Sequence, residues 1–316
     1  MSILVTGGAG FIGSHLIERL LVDTDKRVVC LDNFNDYYSP ELKRKNVAGF
    51  TGNPRVQIVE QTFCDLKAMQ RLFEEEKIAE VHHFGAYAGV RPSIERPLIY
   101  QKANVEGTLC LLEAARLRPL RRFILASSST VYGAGAAAPF VEDQLLGIPL
   151  SPYGATKRAA ELLGLTYHQL HQVPVVCIRP FSIYGPRLRP DLAMTIFVKA
   201  ILSGQRLPLF GDGSIRRDFT YITDFCDGVM AARDGDVVGH CINLGHSQPV
   251  EIRRLISLLE ESLGMPAAIE PLPEKPGEMP ITYADLTKAR RLLGYEPKVA
   301  IEEGVKMFVD WQRQQS

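Results

Sequence analysis

The chain carries no excess of either charge: 36 Lys and Arg balance 36 Asp and Glu, for a formal net charge of +0. No basic tail or Lys/Arg run occurs, so nothing predicts a nucleic-acid surface. No apolar stretch reaches the roughly 18 residues that a bilayer-crossing helix needs, and no membrane association is expected. Cysteine is sparse. The six, Cys30, Cys64, Cys110, Cys177, Cys226 and Cys241, are scattered, and no pair has metal-ligand spacing, so no metal site is expected. They read as small core residues of a reducing compartment, the cytoplasm. Export is not expected either, because Met1 to Val5 runs straight into a glycine loop with no charged leader or cleavage site before it. Internal repeats and low-complexity tracts are absent as well.

What remains is an ordinary globular balance, 46% hydrophobic and 23% charged over 316 residues, enough for a large core in one domain or two. Short apolar runs alternate with helical patterns through the first half. Residues 2–6, 27–31, 56–60, 80–85, 122–127 and 174–178 read as strands, and 11–21, 66–76, 104–116 and 151–171 as helices. This alternation predicts an α/β fold of Rossmann type, a doubly wound parallel sheet with helices on both faces. After Arg179 the pattern loosens, with frequent proline and glycine from Pro180 to Gly213. A helix at 224–232 and a strand at 240–244 read as a return to the sheet, followed by helices at 251–263, 286–293 and 301–313. The expected division is a cofactor domain of residues 1–179 plus about 218–244, and a smaller α/β lobe of about 180–217 plus 245–316. The substrate is expected in the cleft between them.

The first strand ends in Gly7-Gly8-Ala9-Gly10-Phe11-Ile12-Gly13. Three spaced glycines between a strand and a helix allow a tight turn and close approach of a pyrophosphate to the helix N-terminus. Gly7, Gly10, Phe11, Ile12 and Gly13 are therefore candidate contacts of a dinucleotide. Asp32 closes the second strand, where an acid binds the adenosine ribose hydroxyls and repels a 2′-phosphate, which favours NAD over NADP. Asn33 and Asn35 follow it as further cofactor candidates. Asp65, with Leu66 after it, reads either as an adenine contact or as a helix N-cap.

Tyr153-Gly154-Ala155-Thr156-Lys157 sets a phenol and an amine four residues apart, on one face of a helix. A phenol near pKa 10 is a poor base at neutral pH, and a nearby ammonium stabilises the phenolate. Lys157 is also placed to bond the nicotinamide ribose. Ser127-Ser128-Ser129-Thr130 follows a strand at the carboxyl edge of the sheet, where open α/β sheets bind ligands. One of these hydroxyls can share a hydrogen bond with the reacting oxygen and the phenolate.

At this point the chain resembles the extended short-chain dehydrogenase/reductase family, and within it the NAD-dependent nucleotide-sugar epimerases. The resemblance runs through residues 6–13, Asp32, 127–133, 153–157, Arg179-Pro180-Phe181-Ser182-Ile183-Tyr184-Gly185-Pro186, Gly211-Asp212-Gly213 with Arg216-Arg217-Asp218-Phe219, Pro276-Gly277-Glu278 and Tyr283-Ala284-Asp285. It implies that Ser128, Tyr153 and Lys157 form the catalytic triad. It also implies that Phe84, Ala86 and Asn104 line the cofactor, that Pro180 gives nicotinamide a backbone contact, and that Ser182, Arg217 and Glu278 hold the nucleotide diphosphate. Lys275 stands where many relatives carry Arg, a less forked phosphate contact. Relatives commonly form homodimers through a four-helix bundle, for which 104–116 and 151–171 are the candidate helices.

Relatives that dehydrate sugars carry an Asp-Glu pair where this chain has Ser129 and Thr130, and relatives that decarboxylate UDP-glucuronate usually carry Glu at the Thr130 position. Neither extra proton carrier is present. Residues 32–38, 88–91 and 185–191 look like the UDP-glucuronate 4-epimerase subfamily, in which the Arg that corresponds to Arg189 faces the sugar; an Arg fork suits a C6 carboxylate. Thr282, at a position where relatives vary between bulky and small residues, leaves room for the larger sugars. The resemblance thus implies reversible C4 epimerisation of UDP-glucuronate to UDP-galacturonate through a 4-keto intermediate, with bound NAD. The alternatives left open are 4-epimerisation of a neutral UDP-sugar (UDP-glucose or UDP-N-acetylglucosamine), decarboxylation of UDP-glucuronate, and a non-catalytic NAD-binding role.

Overall fold

The structure, a computed structural model, describes residues 1–274 and 279–315. In chain order its strands begin with β1 (Ser2–Thr6), β2 (Arg27–Asp32), β3 (Val56–Glu60), β4 (Ile78–His83), β5 (Arg122–Ala126) and β6 (Val175–Pro180). There follow β7 (Ser182–Tyr184), β8 (Arg206–Phe210), β9 (Arg216–Tyr221), β10 (Cys241–Leu244), β11 (Pro249–Glu251), β12 (Ala268–Leu272) and β13 (Ile281–Thr282).

Seven strands form one sheet in the order β10-β6-β5-β4-β1-β2-β3, and every pairing is parallel. This is the Rossmann-type doubly wound arrangement. Its strand order reverses between β1 and β4, so the loops leaving those strands diverge and open a crevice at the carboxyl ends. Strands β1 and β5 are buried at every position. Helices cover both faces, which is why these strands read as continuous apolar runs rather than as alternating ones.

The second layer is smaller. Strand β9 pairs with β11 antiparallel and with β7 and β13 parallel, and β8 pairs with β12. Its core is not separate: Leu207, Leu255 and Phe308 belong to one apolar cluster with Leu16, Ile124 and Ile178 beneath the large sheet. Leu4, Val29, Phe73, Leu111 and Phe123 pack on the opposite face.

Several expected elements shift. The expected boundary near residue 218 falls inside β9, a strand of the small sheet, and the helix Ile222–Asp234 is the first element to pack back against β5 and β6. The helix expected at 104–116 begins earlier, as a helical turn Pro97–Tyr100, and runs through a π-helical stretch Gln101–Gly107 into an α-helix Thr108–Ala115. Helices Pro40–Val47 and Ala193–Leu202 stand where the sequence reading placed no element. No helix among the described residues is long and apolar enough to cross a membrane, and no group of acidic, His and Cys side chains among them is placed to hold a metal.

Candidate active site

A cavity of about 1000 Å³ lies over the carboxyl ends of β1, β4, β5 and β6 and extends to β7, β8 and β9. At one end is the glycine loop. Gly7 takes φ +65°, and a Cβ on Gly13 would sit 2.2 Å from the Gly7 carbonyl oxygen, so helix Phe11–Asp23 can approach β1 only without side chains there. No side chain caps this helix. Its leading N–H groups are thereby left for an anion, and Gly7, Gly10, Phe11, Ile12 and Gly13 all line the cavity.

Asp32 is buried beside them. Its carboxylate accepts from Ala9 N at 3.3 Å and Phe34 N at 2.9 Å, while Asn33 and Asn35 line the same wall. Lys43, which no motif in the sequence singles out, joins them. Its Nζ lies 3.6 Å from Asp32 Oδ1 and donates to Asn35 Oδ1 at 3.0 Å, and burial holds its pKa below the usual lysine value. Phe84, Ala86 and Pro180 line the cavity too. A cradle that a Cβ would fill and a buried carboxylate at the end of β2 are the features that an adenine dinucleotide requires, and the residues present fit one.

Asp65 and Leu66 are absent from that wall. The Asp65 carboxylate accepts from Ala68 N at 3.0 Å and caps helix Leu66–Glu75, the second of its two sequence readings. Asn104 stands one layer behind the lining. Its amide receives Tyr87 N and donates to Tyr87 O, both at 2.9 Å, and donates to Thr156 Oγ1 at 3.1 Å. It ties the loop after β4 to the helix that carries Tyr153, from inside the π-helical turn.

That helix, Pro152–His171, starts where Ser151 Oγ accepts from Gly154 N at 3.1 Å with Pro152 in its first turn, and it ends at Gln172 in a left-handed conformation. Tyr153 and Lys157 both line the cavity, as do Ser127, Ser128, Ser129 and Thr130. Ser128 Oγ accepts from Thr130 N at 3.2 Å and from Thr130 Oγ1 at 2.9 Å. Ser127 also lines the cavity, although its Oγ is itself buried and has no hydrogen-bond partner.

Burial pushes the Tyr153 phenol above its ordinary value; the Ser128 hydroxyl and the Arg189 charge pull it back, and Tyr37 works against them. The expected help from Lys157 is not among these pulls. Its Nζ donates to the Ala126 carbonyl at 2.8 Å, and burial brings its pKa down to about 8.

Arg189 reaches the same region. Its Nε and Nη2 donate to the two oxygens of Asp191 at 3.0 and 2.7 Å, and Nη2 approaches the Ala88 carbonyl at 3.4 Å. The guanidinium lies 5.5 Å from the centre of the Tyr37 ring. Ser182 and Arg217 line the far end, where Arg217 Nη1 donates to the Met279 carbonyl at 2.9 Å. Lys275 and Glu278 lie outside the described residues, and Thr282, in β13, does not line the cavity. Tyr37, Tyr87, Arg91, Asp191 and Phe210 do line it. The first four fall in or beside the segments that carry the family resemblance, which is the sequence signal for them. Lys43 and Phe210 had none, because their elements were not anticipated.

A family model described as GDP-mannose 4,6 dehydratase matches residues 4–308. The chain belongs to this family of extended short-chain dehydrogenases/reductases. Among its relatives is a UDP-glucuronate 4-epimerase of Thermodesulfobacterium geofontis, 40% identical over 98% of this chain and 96% of that one. The crystal structure of UDP-glucuronic acid 4-epimerase from Bacillus cereus, in complex with UDP-glucuronic acid and NAD, superposes with a TM-score of 0.93 at 39% identity, covering 100% of both chains. UDP-glucose 4-epimerase of Thermotoga maritima with UDP-glucose gives a TM-score of 0.92 at 30% identity over 100% of this chain and 99% of that one.

Proposed function

We propose that this protein is an NAD-dependent UDP-glucuronate 4-epimerase, an isomerase that interconverts UDP-glucuronate and UDP-galacturonate through a 4-keto intermediate. The observation that carries the reading is convergence. One cavity gathers a dinucleotide cradle, the Tyr153–Ser128 pair, a run of hydroxyls and the Arg189 fork. The 37–40% identity to proteins named UDP-glucuronate 4-epimerase supports the choice of sugar.

The residues that would hold NAD are the glycine loop, Asp32 with Asn33 and Asn35, the wall of Phe84, Ala86 and Pro180, and Lys157. When bound, NAD takes up the hydrogen of sugar C4 and gives it back, so it ends the cycle unchanged. Tyr153 takes the proton of the C4 hydroxyl, with Ser128 sharing it. The 4-keto sugar stays tethered by its diphosphate at Ser182 and Arg217, turns about the linking bonds and is reduced on its other face, where Tyr153 returns the proton. The ketone is then β to a carboxylate, and loss of CO₂ requires the breaking bond to align with the carbonyl π system. Before and after the turn, Ser127, Ser129, Thr130 and Arg189 hold the carboxylate out of that alignment, which is control by positioning.

A panel of UDP-glucuronate, UDP-glucose and UDP-N-acetylglucosamine tests the reading. The acidic sugar is the expected substrate, and Arg189→Ala should damage its turnover far more than that of a neutral sugar. Preferential turnover of a neutral UDP-sugar by the parent protein would overturn the substrate assignment.

Three further readings belong with this one. The segments around the large sheet act as the cofactor domain, and those around the small sheet as the nucleotide-sugar lobe. Two copies associate through helix Pro152–His171 and the helical stretch ending at Ala115, where Leu162 and Leu170 are exposed; a monomeric mass by light scattering would contradict this. The protein works in the cytoplasm.

A further inference from the structure

We infer that Asp191 is a built-in stand-in for the sugar carboxylate, occupying the Arg189 fork whenever the substrate's own carboxylate does not. The inference rests on the proposed UDP-glucuronate chemistry and adds a residue that acts through Arg189 to set specificity. The geometry is that of a forked carboxylate complex, with one oxygen on Nε at 3.0 Å and the other on Nη2 at 2.7 Å. A C6 carboxylate would use such a guanidinium edge in the same way. Both side chains line the cavity, but they are unequally placed: the Arg189 side chain is 17% exposed and that of Asp191 37%. The cation is the fixed half and the anion the displaceable one.

The surroundings agree. Besides Asp191, Arg189 has two further neighbours, the Ala88 carbonyl at 3.4 Å and the Tyr37 ring at 5.5 Å. The loop that carries both residues is pinned upstream, where Arg187 Nη1 donates to Glu18 Oε1 at 3.0 Å and to the Asn46 carbonyl at 3.3 Å. Asp191 can therefore swing away without unseating Arg189.

A guanidinium left unpaired in a poorly solvated cavity is costly, whereas exchanging one carboxylate for another keeps it paired throughout. Epimerisation makes that exchange necessary twice. The acidic sugar must displace Asp191 to bind, and the 4-keto intermediate must release Arg189 in order to turn. Asp191 takes the fork back in between. Its presence weakens the grip on the acidic sugar and frees the intermediate to rotate, while a neutral sugar leaves the internal pair closed.

The test uses NAD-loaded protein in a Tyr153→Phe background, so that ligands bind without turnover. Asp191→Asn should tighten UDP-glucuronate by about tenfold or more, about 1.4 kcal/mol, with UDP affinity unchanged. Asp191→Glu should restore parental affinity, which excludes a general loosening of the loop and serves also if the Asn variant folds poorly. In the active background Asp191→Asn should lower KM and kcat together, because the sugar is held too firmly to rotate. Unchanged or weaker UDP-glucuronate binding in Asp191→Asn would overturn the inference, since Asp191 would then be a spectator or a support of Arg189 in the complex. Failure of the parent enzyme to turn over UDP-glucuronate is a different result, and would sink the functional reading itself.

Discussion

Tyr153 and Lys157 share one helix face, yet the surroundings treat them differently. Burial disfavours the charged form of both, raising the phenol and bringing the amine down to about 8. In the chain alone Tyr153 is thus an acid in waiting, eased toward the phenolate by Ser128 and Arg189. Replacing Tyr153 by Phe should lower turnover by roughly 10²–10⁴-fold, the usual worth of a positioned proton carrier, with NAD content unchanged; full activity in that variant would refute its assignment as the base. Lys157 carries a stability consequence. Its folded pKa lies below the unfolded value of 10.5, so between about 8 and 10.5 the unfolded chain binds more protons and stability rises with pH. Below about pH 8 the buried charge costs up to about 3 kcal/mol. Lys157→Met should therefore melt higher than the parent at pH 7, in protein freed of cofactor, and the difference should shrink toward pH 10. A difference independent of pH would contradict this.

Among the elements, the strand–loop–helix at the N-terminus was the most legible. Its glycines have no alternative use: a Cβ on Gly13 would meet the backbone of Gly7 and Gly8, which have no side chains to move aside. Gly13→Ala should lose NAD and melt well below the parent, as seen by cofactor content and thermal denaturation. Asp65 was legible only as a choice of two roles, because an acid before a helix looks the same whether it caps or binds adenine. The cap is what the geometry displays, so Asp65→Ala should cost about 1 kcal/mol of stability and leave NAD affinity unchanged; weakened NAD binding would restore the adenine role. The π-helical turn at Gln101–Gly107 was not legible. Nothing in its residue types marks the wider turn, from which Asn104 bonds Tyr87 and Thr156. Helix Pro40–Val47, which supplies Lys43, was hidden by its polar composition, since four of its eight residues are charged.

For the whole molecule, the large sheet was readable because strands buried on both faces announce themselves as apolar runs, whereas the small sheet was not. Strands β7, β11 and β13 have three, three and two residues, too few for any period to show, and they are held by pairing with β9 across long stretches of chain. The layers share one core, so unfolding should be a single transition. Burial also sets its acid limit. His83 is brought down to about 3, with the Lys157 charge adding to the effect, and His15 to about 4, with Arg187 adding to it. Both histidines are neutral in the fold and titrate near 6.5 when unfolded, so below about pH 6.5 the unfolded chain gains protons and stability falls. The melting temperature should drop steadily from pH 7 to pH 5, and a flat profile would contradict the burial of these rings. The account as a whole depends on direct removal and return of one hydrogen at C4. The decisive measurement is incubation of UDP-glucuronate deuterated at C4 with the purified protein in ordinary water, without added NAD, followed by NMR of the product. The account predicts UDP-galacturonate that keeps its deuterium at C4. Product with hydrogen at that carbon, or no inverted product at all, would contradict it.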